Sequence, residues 1–173
     1  MNETDFAWLA GAVDGEGHLD ASFRNVGKGA LRSPGALKCL QVRISITNTK
    51  PIFINKVIVI FKELTVPFNI HVDTRTRKNA AFTVAATGRK NLRKLLPKII
   101  PYLTCKKEEA EQLLLLLDYL DSRPTKKQGA SEFIFEDPQI LQKMEQIKQI
   151  KYNDFVKVDE FLAVKQGQMS GLT

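Results

Sequence analysis

One stretch near the N-terminus, WLAGAVDGEG at residues 8–17, limits what this chain can fold into more than any other. Small residues recur around it at every fourth position, Ala7, Gly11 and Gly15, and such positions share one face of an α-helix. A helix face with almost no side chains allows another backbone to approach closely. That backbone could belong to the same chain or to a second copy, and the sequence leaves both possibilities open.

The end of this predicted helix carries an acid. The helix is expected to begin near Thr4 or Asp5, both good N-cap residues, and to end at Gly15 or Gly17. Glu16 then lies beside carbonyl groups without partners in the helix, where the helix dipole favours a cation. Mg²⁺ prefers oxygen ligands, so this end is a plausible fragment of a metal site. Acids beside glycines are also common in ordinary turns, so the pattern alone does not assign a metal.

Hydrophobic periodicity predicts an α+β domain in which helices cover one face of a four-stranded antiparallel sheet. Alternating polar and apolar residues predict strands at 18–26, 40–47, 68–74 and 80–87. Helical spacing predicts helices at about 51–64, 89–101 and 106–120, and a loop is expected at 27–36. The order is therefore helix, strand, strand, helix, strand, strand, helix, with further helices after it.

The length and the cysteine content both indicate one ordinary domain. We expect it at residues 1–166, with a core at about 5–120, accessory helices at 131–166 and a flexible tail at 167–173. Cys39 and Cys105 have the spacing of neither a disulfide framework nor a zinc finger, so reduced structural thiols are expected. The first residues lack the basic region and apolar stretch of a signal peptide, so neither export nor membrane insertion is expected.

Positive charge is concentrated in the middle of the chain. Residues 21–107 hold 18 bases and two acids, a net charge of +16, whereas residues 1–20 hold five acids and no base and residues 108–173 hold eight bases and 12 acids. So one-sided a segment favours a polyanionic partner over an ordinary solvated surface. Because the basic stretch is predicted to form strands rather than a basic amphipathic helix, nucleic acid is favoured over a membrane surface.

The polar faces of the predicted strands carry side chains of the kinds that contact DNA. Such residues donate to guanine, pair with adenine or bind phosphate, and a twisted sheet can lie along the major groove. An ordinary solvated sheet face is the alternative. The candidate DNA-contacting residues, including those of a basic hairpin tip, are His18, Asp20, Ser22, Arg24, Lys38, Gln41, Arg43, Ser45, Asn69, His71, Asp73, Arg75, Arg77 and Lys78.

Two common explanations for the glycines and acids fail. Phosphate-binding loops need a glycine-rich motif after a strand, and neither Gly15 nor Gly27 lies in one. Asp14, Glu16 and Asp20 do not have the spacing of an EF-hand loop, since its central glycine and final glutamate are missing. Neither a nucleotide loop nor a calcium loop is therefore predicted here.

Residues 9–17, LAGAVDGEG, resemble the LAGLIDADG signature of homing endonucleases, with Glu16 in place of the family's second acid. The predicted order of elements over about residues 5–120 is similar to that of the single-motif members. The positions identical to the signature are Leu9, Ala10, Gly11, Asp14 and Gly17. The resemblance implies a LAGLIDADG-like αββαββα domain and a site-specific DNA endonuclease.

The same resemblance implies how the site is built. Glu16 would bind Mg²⁺ through its carboxylate, and Gly15 would offer its carbonyl to the same metal cluster. Asn48 matches a position that orders water near the metals, and Lys106 matches a basic residue near the active site, so Glu16, Asn48 and Lys106 form the implied catalytic set. A second basic position after Asn48 is not evident, because Ile52 occupies it.

Only one such motif exists, so a family member of this type would act as a homodimer. Ala7, Gly11 and Gly15 would pack against their counterparts, with Asp14 as a helix-capping or interface residue. Two-fold symmetry makes the implied DNA site roughly palindromic. The implied reaction is a metal-dependent double-strand break that leaves cohesive 3′ ends, by an intracellular, DNA-associated enzyme of a prokaryotic cytoplasm or organelle matrix.

Two other functions remain open at this point. The first is a DNA- or RNA-binding module on the same fold without cleavage, such as an intron maturase or a regulator. The second is a purely structural RNA-associated protein. The carboxylate of Glu16 argues against the first, although glutamate has a longer arm than the aspartate of the signature.

Overall fold

The computed structural model describes residues 1–25, 38–74, 80–122 and 137–151. The predicted loop at 27–36, the hairpin tip with Arg75, Arg77 and Lys78, the second accessory helix and the tail at 167–173 lie outside these ranges. For Asn25 and Lys38 only the backbone is described.

The described segments follow the predicted order of elements. The strands are β1 (Gly17–Asn25), β2 (Lys38–Asn48), β3 (Asn69–Asp73) and β4 (Ala81–Thr87). The helices are α1 (Glu3–Glu16), α2 (Pro51–Glu63), α3 (Arg89–Ile99), a 3-10 turn (Ile100–Tyr102), α4 (Lys107–Ser122) and a helix at 138–151, here α5. The αββαββα order and the α+β class are confirmed.

The four strands form one antiparallel sheet in the order β1-β2-β4-β3. Gly17 pairs with Ile46, so the C-terminal end of α1 lies beside the last residues of β2. The edge strand β3 leaves Ile70 and Val72 partly exposed, because the helices do not fully cover that edge. The sheet therefore brings the acidic end of the first helix to one end of a central strand.

The first helix begins earlier than expected, since its cap is Asn2 rather than Thr4 or Asp5. The Asn2 side chain accepts a hydrogen bond from the Asp5 N–H at 3.0 Å, and the Asp5 carboxylate accepts one from the Asn2 N–H at 3.3 Å. This reciprocal capping box satisfies two amides that would otherwise lack partners. It explains why the helix extends to Glu3.

The helices pack on the apolar face of the sheet and bury it. Leu113, Leu116 and Leu117 of α4 are fully buried, whereas Leu115 is 48% exposed because helical spacing turns it away from the core. α5 adds Ile140, Met144 and Ile147 to the same core. The largest of its fully buried side chains are Leu9, Leu19, Ile44, Ile46, Phe61, Leu92, Leu95, Leu96, Ile99, Leu113, Leu116 and Leu117.

The two cysteines do not contribute to this core. Cys39 and Cys105 are free thiols, as expected, but both are exposed, so the expectation of a structural packing role was wrong. Among the described helices, none is both long and apolar enough to cross a membrane.

Candidate nucleic-acid interface and metal site

The small-residue face of α1 is open to solvent. Ala7, Gly11 and Gly15 are all exposed, and a Cβ built on Gly11 or Gly15 would meet no atom of the described residues within 4 Å. Close packing within the chain, one of the two explanations left open by the sequence, is therefore wrong for the described part of the fold. Gly17 differs, because a Cβ there would lie 2.5 Å from the carbonyl oxygen of Val13. Its bare backbone is required where the chain turns from α1 into β1.

A cavity of about 350 Å³ lies at the C-terminal end of α1. It is lined by Gly15, Glu16, Gly17, Thr47, Asn48 and Thr49. The structure thus brings together Glu16, Gly15 and Asn48, three of the residues singled out from the sequence. The Asn48 side chain accepts a hydrogen bond from the Lys50 N–H at 2.8 Å, which fixes its orientation at the cavity wall.

Lys106 and Asp14 clamp the end of α1 to the segment before α4. The Lys106 ammonium donates to the carbonyl oxygen of Val13 at 3.0 Å and to that of Asp14. In return, the Asp14 carboxylate accepts the N–H groups of Thr104 at 2.7 Å and Lys106 at 2.8 Å. The Lys106 ammonium therefore lies against the last turn of α1, which carries Glu16, with its charge at the negative end of the helix dipole.

The cavity lining supplies ligands that suit a hard divalent cation, but not a complete set of them. Its polar groups are a carboxylate, an amide, hydroxyls and backbone carbonyls, and oxygen ligands of this kind suit Mg²⁺. Within the described ranges, no three His, Cys, Asp or Glu side chains come close enough to hold a metal together. Among the described residues that line the cavity, Glu16 has the only carboxylate.

The polar face of the sheet forms a groove of about 600 Å³. Its β4 wall carries only short side chains, Thr83, Ala85 and Thr87, which leave room above the sheet. Thr47 lines both this groove and the cavity beside Glu16, so the two are adjacent. The other groove residues are Arg24, Gln41, Arg43, Ser45, Asn69 and His71, all of them candidates from the sequence.

Three further candidates lie on β1 beside the groove. Asp20 lies 3.8 Å from an Arg43 terminal nitrogen and accepts a hydrogen bond from the Ser22 hydroxyl at 2.9 Å. His18 follows the Glu16 cavity, opposite Ser45 on β2. Partial burial lowers the pKa of the His18 imidazole, although much of the side chain is exposed, and nearby positive charges, first that of Lys151, lower it further. His18 is therefore neutral at pH 7 and offers one donor and one acceptor.

Two residues near the site were missed by the sequence reasoning. Lys151 of α5 donates to the carbonyl oxygen of Leu19 on β1 and lies 2.9 Å from Glu109 Oε1, an ion-pair distance without hydrogen-bond geometry. Glu109 is only 5% exposed. The sequence carried a signal for Glu109, because this acid lies four residues before Leu113 on the apolar face of α4. An acid on such a face needs a partner.

Comparisons with known proteins identify the architecture. No family model matches the chain, and no curated protein matches it. Among solved structures, the archaeal intron-encoded homing endonuclease I-Vdi141I in complex with DNA is 13% identical, with a TM-score of 0.59 over 86% of this chain and 84% of that chain. The homing endonuclease I-CvuI, bound to the I-CreI target, is 23% identical, with a TM-score of 0.56 over 86% and 85%.

A third structure is that of the LAGLIDADG meganuclease I-AabMI bound to uncleaved DNA, 18% identical with a TM-score of 0.54. This chain has the LAGLIDADG homing endonuclease fold. The match to I-AabMI covers 86% of this chain but only 43% of that meganuclease. The aligned part of this LAGLIDADG-fold chain thus spans less than half of I-AabMI.

Proposed function

We propose that this protein is a site-specific DNA endonuclease that acts as a homodimer and makes a Mg²⁺-dependent double-strand break in a long, roughly palindromic site. One observation carries the proposal. The cavity lined by Glu16 and Asn48 adjoins the polar groove of the sheet, and Thr47 lines both. DNA lying in the groove would therefore bring a phosphate to the carboxylate.

Charge and the shared fold both support duplex DNA as the ligand of the groove. The segment 21–107 supplies a net charge of +16, and phosphate contacts from such a segment provide affinity that is independent of sequence. I-Vdi141I and I-CvuI, which share this fold, were both solved as DNA complexes. Their likeness supports the same class of ligand here.

The proposed chemistry divides among four residues. Glu16 and the Gly15 carbonyl would hold a divalent cation, which would polarise the phosphate and lower the pKa of bound water. Asn48, fixed by the Lys50 N–H, would orient water at the cavity wall. Lys106 would hold the last turn of α1 in place through the carbonyls of Val13 and Asp14, and its positive charge would face the developing negative charge on the phosphate.

Two features of the single chain support the proposed homodimer. Among the described residues, Glu16 alone brings a carboxylate to the cavity lining, and the face of Ala7, Gly11 and Gly15 is exposed. Packing α1 against its counterpart would cover that face and bring two Glu16 side chains together, one for each strand of the DNA. The Asp14 carboxylate already binds Thr104 and Lys106 within its own chain, so we assign it to capping first and to the interface second.

The test uses plasmids that carry a randomised insert, incubated with the protein in Mg²⁺ or in excess chelator. We expect Mg²⁺-dependent linear products from a subset of inserts that share a roughly palindromic sequence, and a dimer by analytical ultracentrifugation. Gly11→Leu should sediment as a monomer and lose double-strand cleavage, because a bulky side chain blocks helix contact. Sequence-selective binding without cleavage in any divalent metal would instead support the non-cleaving DNA- or RNA-binding module.

A further inference from the structure

The two groups proposed to hold the metal, the Gly15 carbonyl and the Glu16 carboxylate, lie where the chain turns from α1 into β1. α1 ends at Glu16 and β1 begins at Gly17. The Gly17 N–H donates to the carbonyl oxygen of Val13, and the same oxygen accepts a hydrogen bond from the Lys106 ammonium at 3.0 Å. Lys106 therefore holds the helix side of this turn.

The strand side of the same turn is held by a helix that lies outside the αββαββα core. Among the described strands, β1 has a neighbour on one side only, because the order is β1-β2-β4-β3. The Lys151 ammonium of α5 donates to the carbonyl oxygen of Leu19, the third residue of β1. Lysine contacts to the carbonyls of Asp14 and Leu19 thus bracket residues 15–18, which include both proposed metal ligands.

The start of α4 takes part in both contacts. Lys106 directly precedes α4, and Glu109 lies three residues later, in the first turn of that helix. The Glu109 carboxylate is buried, and its Oε1 lies 2.9 Å from the Lys151 ammonium. One turn of α4 therefore connects the lysine that holds the end of α1 with the lysine that holds the start of β1.

The packing of α5 on α4 does not by itself require an ion pair. Two apolar side chains of similar volume often stabilise such a contact as well or better, because taking two charges out of water costs free energy. An apolar side chain, however, cannot donate a hydrogen bond to the Leu19 carbonyl. What Lys151 adds is a directed contact with the backbone of β1, and the Glu109 carboxylate keeps the ammonium at that position.

We propose that Lys151 is a positioning residue of the metal site and acts through the Leu19 carbonyl. It fixes the start of β1 as Lys106 fixes the end of α1, so the two ligands between them keep one geometry toward a cation. The assignment rests on the proposed function, since it needs that cation. Groups that orient metal ligands without touching the metal typically contribute about 10- to 100-fold in metal affinity or activity. α5 is then part of the active site's support.

The experiment separates positioning from stability with four variants. Lys151→Met removes the ammonium, Lys151→Arg keeps a cation, and Lys151→Met with Glu109→Gln removes both charges and leaves the net charge unchanged. Lys148→Met is the control, because Lys148 lies on the same helix with an exposed side chain, 3.4 Å from Glu145. Circular dichroism sets an assay temperature at which every variant is folded. On the DNA site that the wild type cleaves, we would measure single-turnover cleavage in Mg²⁺, the Ca²⁺ affinity of the DNA complex by calorimetry, and the DNA affinity in saturating Ca²⁺.

Lys151→Met should lower the cleavage rate and the Ca²⁺ affinity by about 10- to 100-fold, and it should bind DNA in saturating Ca²⁺ about as tightly as the wild type. The double variant should recover part of the stability but not the cleavage rate. Lys151→Arg should keep most of the cleavage rate, and Lys148→Met should match the wild type. Cleavage by Lys151→Met at the wild-type rate, or cleavage that returns with stability in the double variant, would overturn the assignment while leaving the proposed function standing. A wild type that cleaves no DNA would overturn both.

Discussion

The contacts of Asp14 and Lys106 between the end of α1 and the segment before α4 give the sharpest stability prediction. Asp14→Ala removes the acceptor of two hydrogen bonds, at 2.7 Å from the Thr104 N–H and 2.8 Å from the Lys106 N–H. Hydrogen bonds to a charged group contribute about 1.5–3 kcal/mol each, and the exposed Thr104 amide recovers part of that from water. We expect a loss of about 2–4 kcal/mol in the free energy of unfolding, which in a chain of this size lowers Tm by about 4–16 °C.

Thermal unfolding followed by circular dichroism measures this shift. Asp14→Asn should fall between Asp14→Ala and the wild type, because the amide keeps one acceptor oxygen. The matched control is Glu145→Gln, whose exposed carboxylate lies 3.4 Å from the Lys148 ammonium and should change the stability by less than about 0.5 kcal/mol. If Asp14→Ala unfolds at the same temperature as this control, the clamp does not hold α1 in place.

Three further predictions test other contacts. Cys39 lies opposite Arg24 on the groove face, so bound DNA should slow the reaction of Cys39 with a thiol reagent in a Cys105→Ser variant. Equal rates with and without DNA would show that the groove is not the DNA interface. Lys151→Met should destabilise the protein by about 2–3 kcal/mol, because it removes the cation that lies 2.9 Å from the buried Glu109 carboxylate, and Lys151→Met with Glu109→Gln should recover part of the loss in chemical denaturation. Arg24→Ala should lower the slope of log affinity against log salt by about one unit, and an unchanged slope would rule out a phosphate contact.

Local patterns predicted most of the fold. The alternation of Val42, Ile44 and Ile46 placed β2 because one face of a strand must be buried, and the observed strand extends the prediction by only two residues at its start and one at its end. The start of α1 was missed because two N-cap candidates near Asn2 compete, and only the reciprocal contact between Asn2 and Asp5 decides between them.

The site was predictable only in part. The motif and the end of β2 pointed to Glu16 and Asn48, and the register of β1 with β2 brings them to one cavity. The contacts of Lys106 with the α1 carbonyls and of Lys151 with Glu109 join residues distant in the chain. Periodicity carries no information on such pairs, because each depends on how the finished helices pack.

The most direct test of the account is whether Glu16 is needed for cleavage but not for binding. Glu16→Gln keeps the shape of the side chain and one oxygen, but it removes the charge that would hold Mg²⁺. We expect this variant to leave a supercoiled plasmid with the selected site intact in Mg²⁺. In a gel-shift with Ca²⁺ it should bind the same site as well as the wild type or slightly better, because a negative charge near the phosphates is gone. Cleavage by Glu16→Gln at near wild-type rate would contradict the account and place the catalytic carboxylate elsewhere.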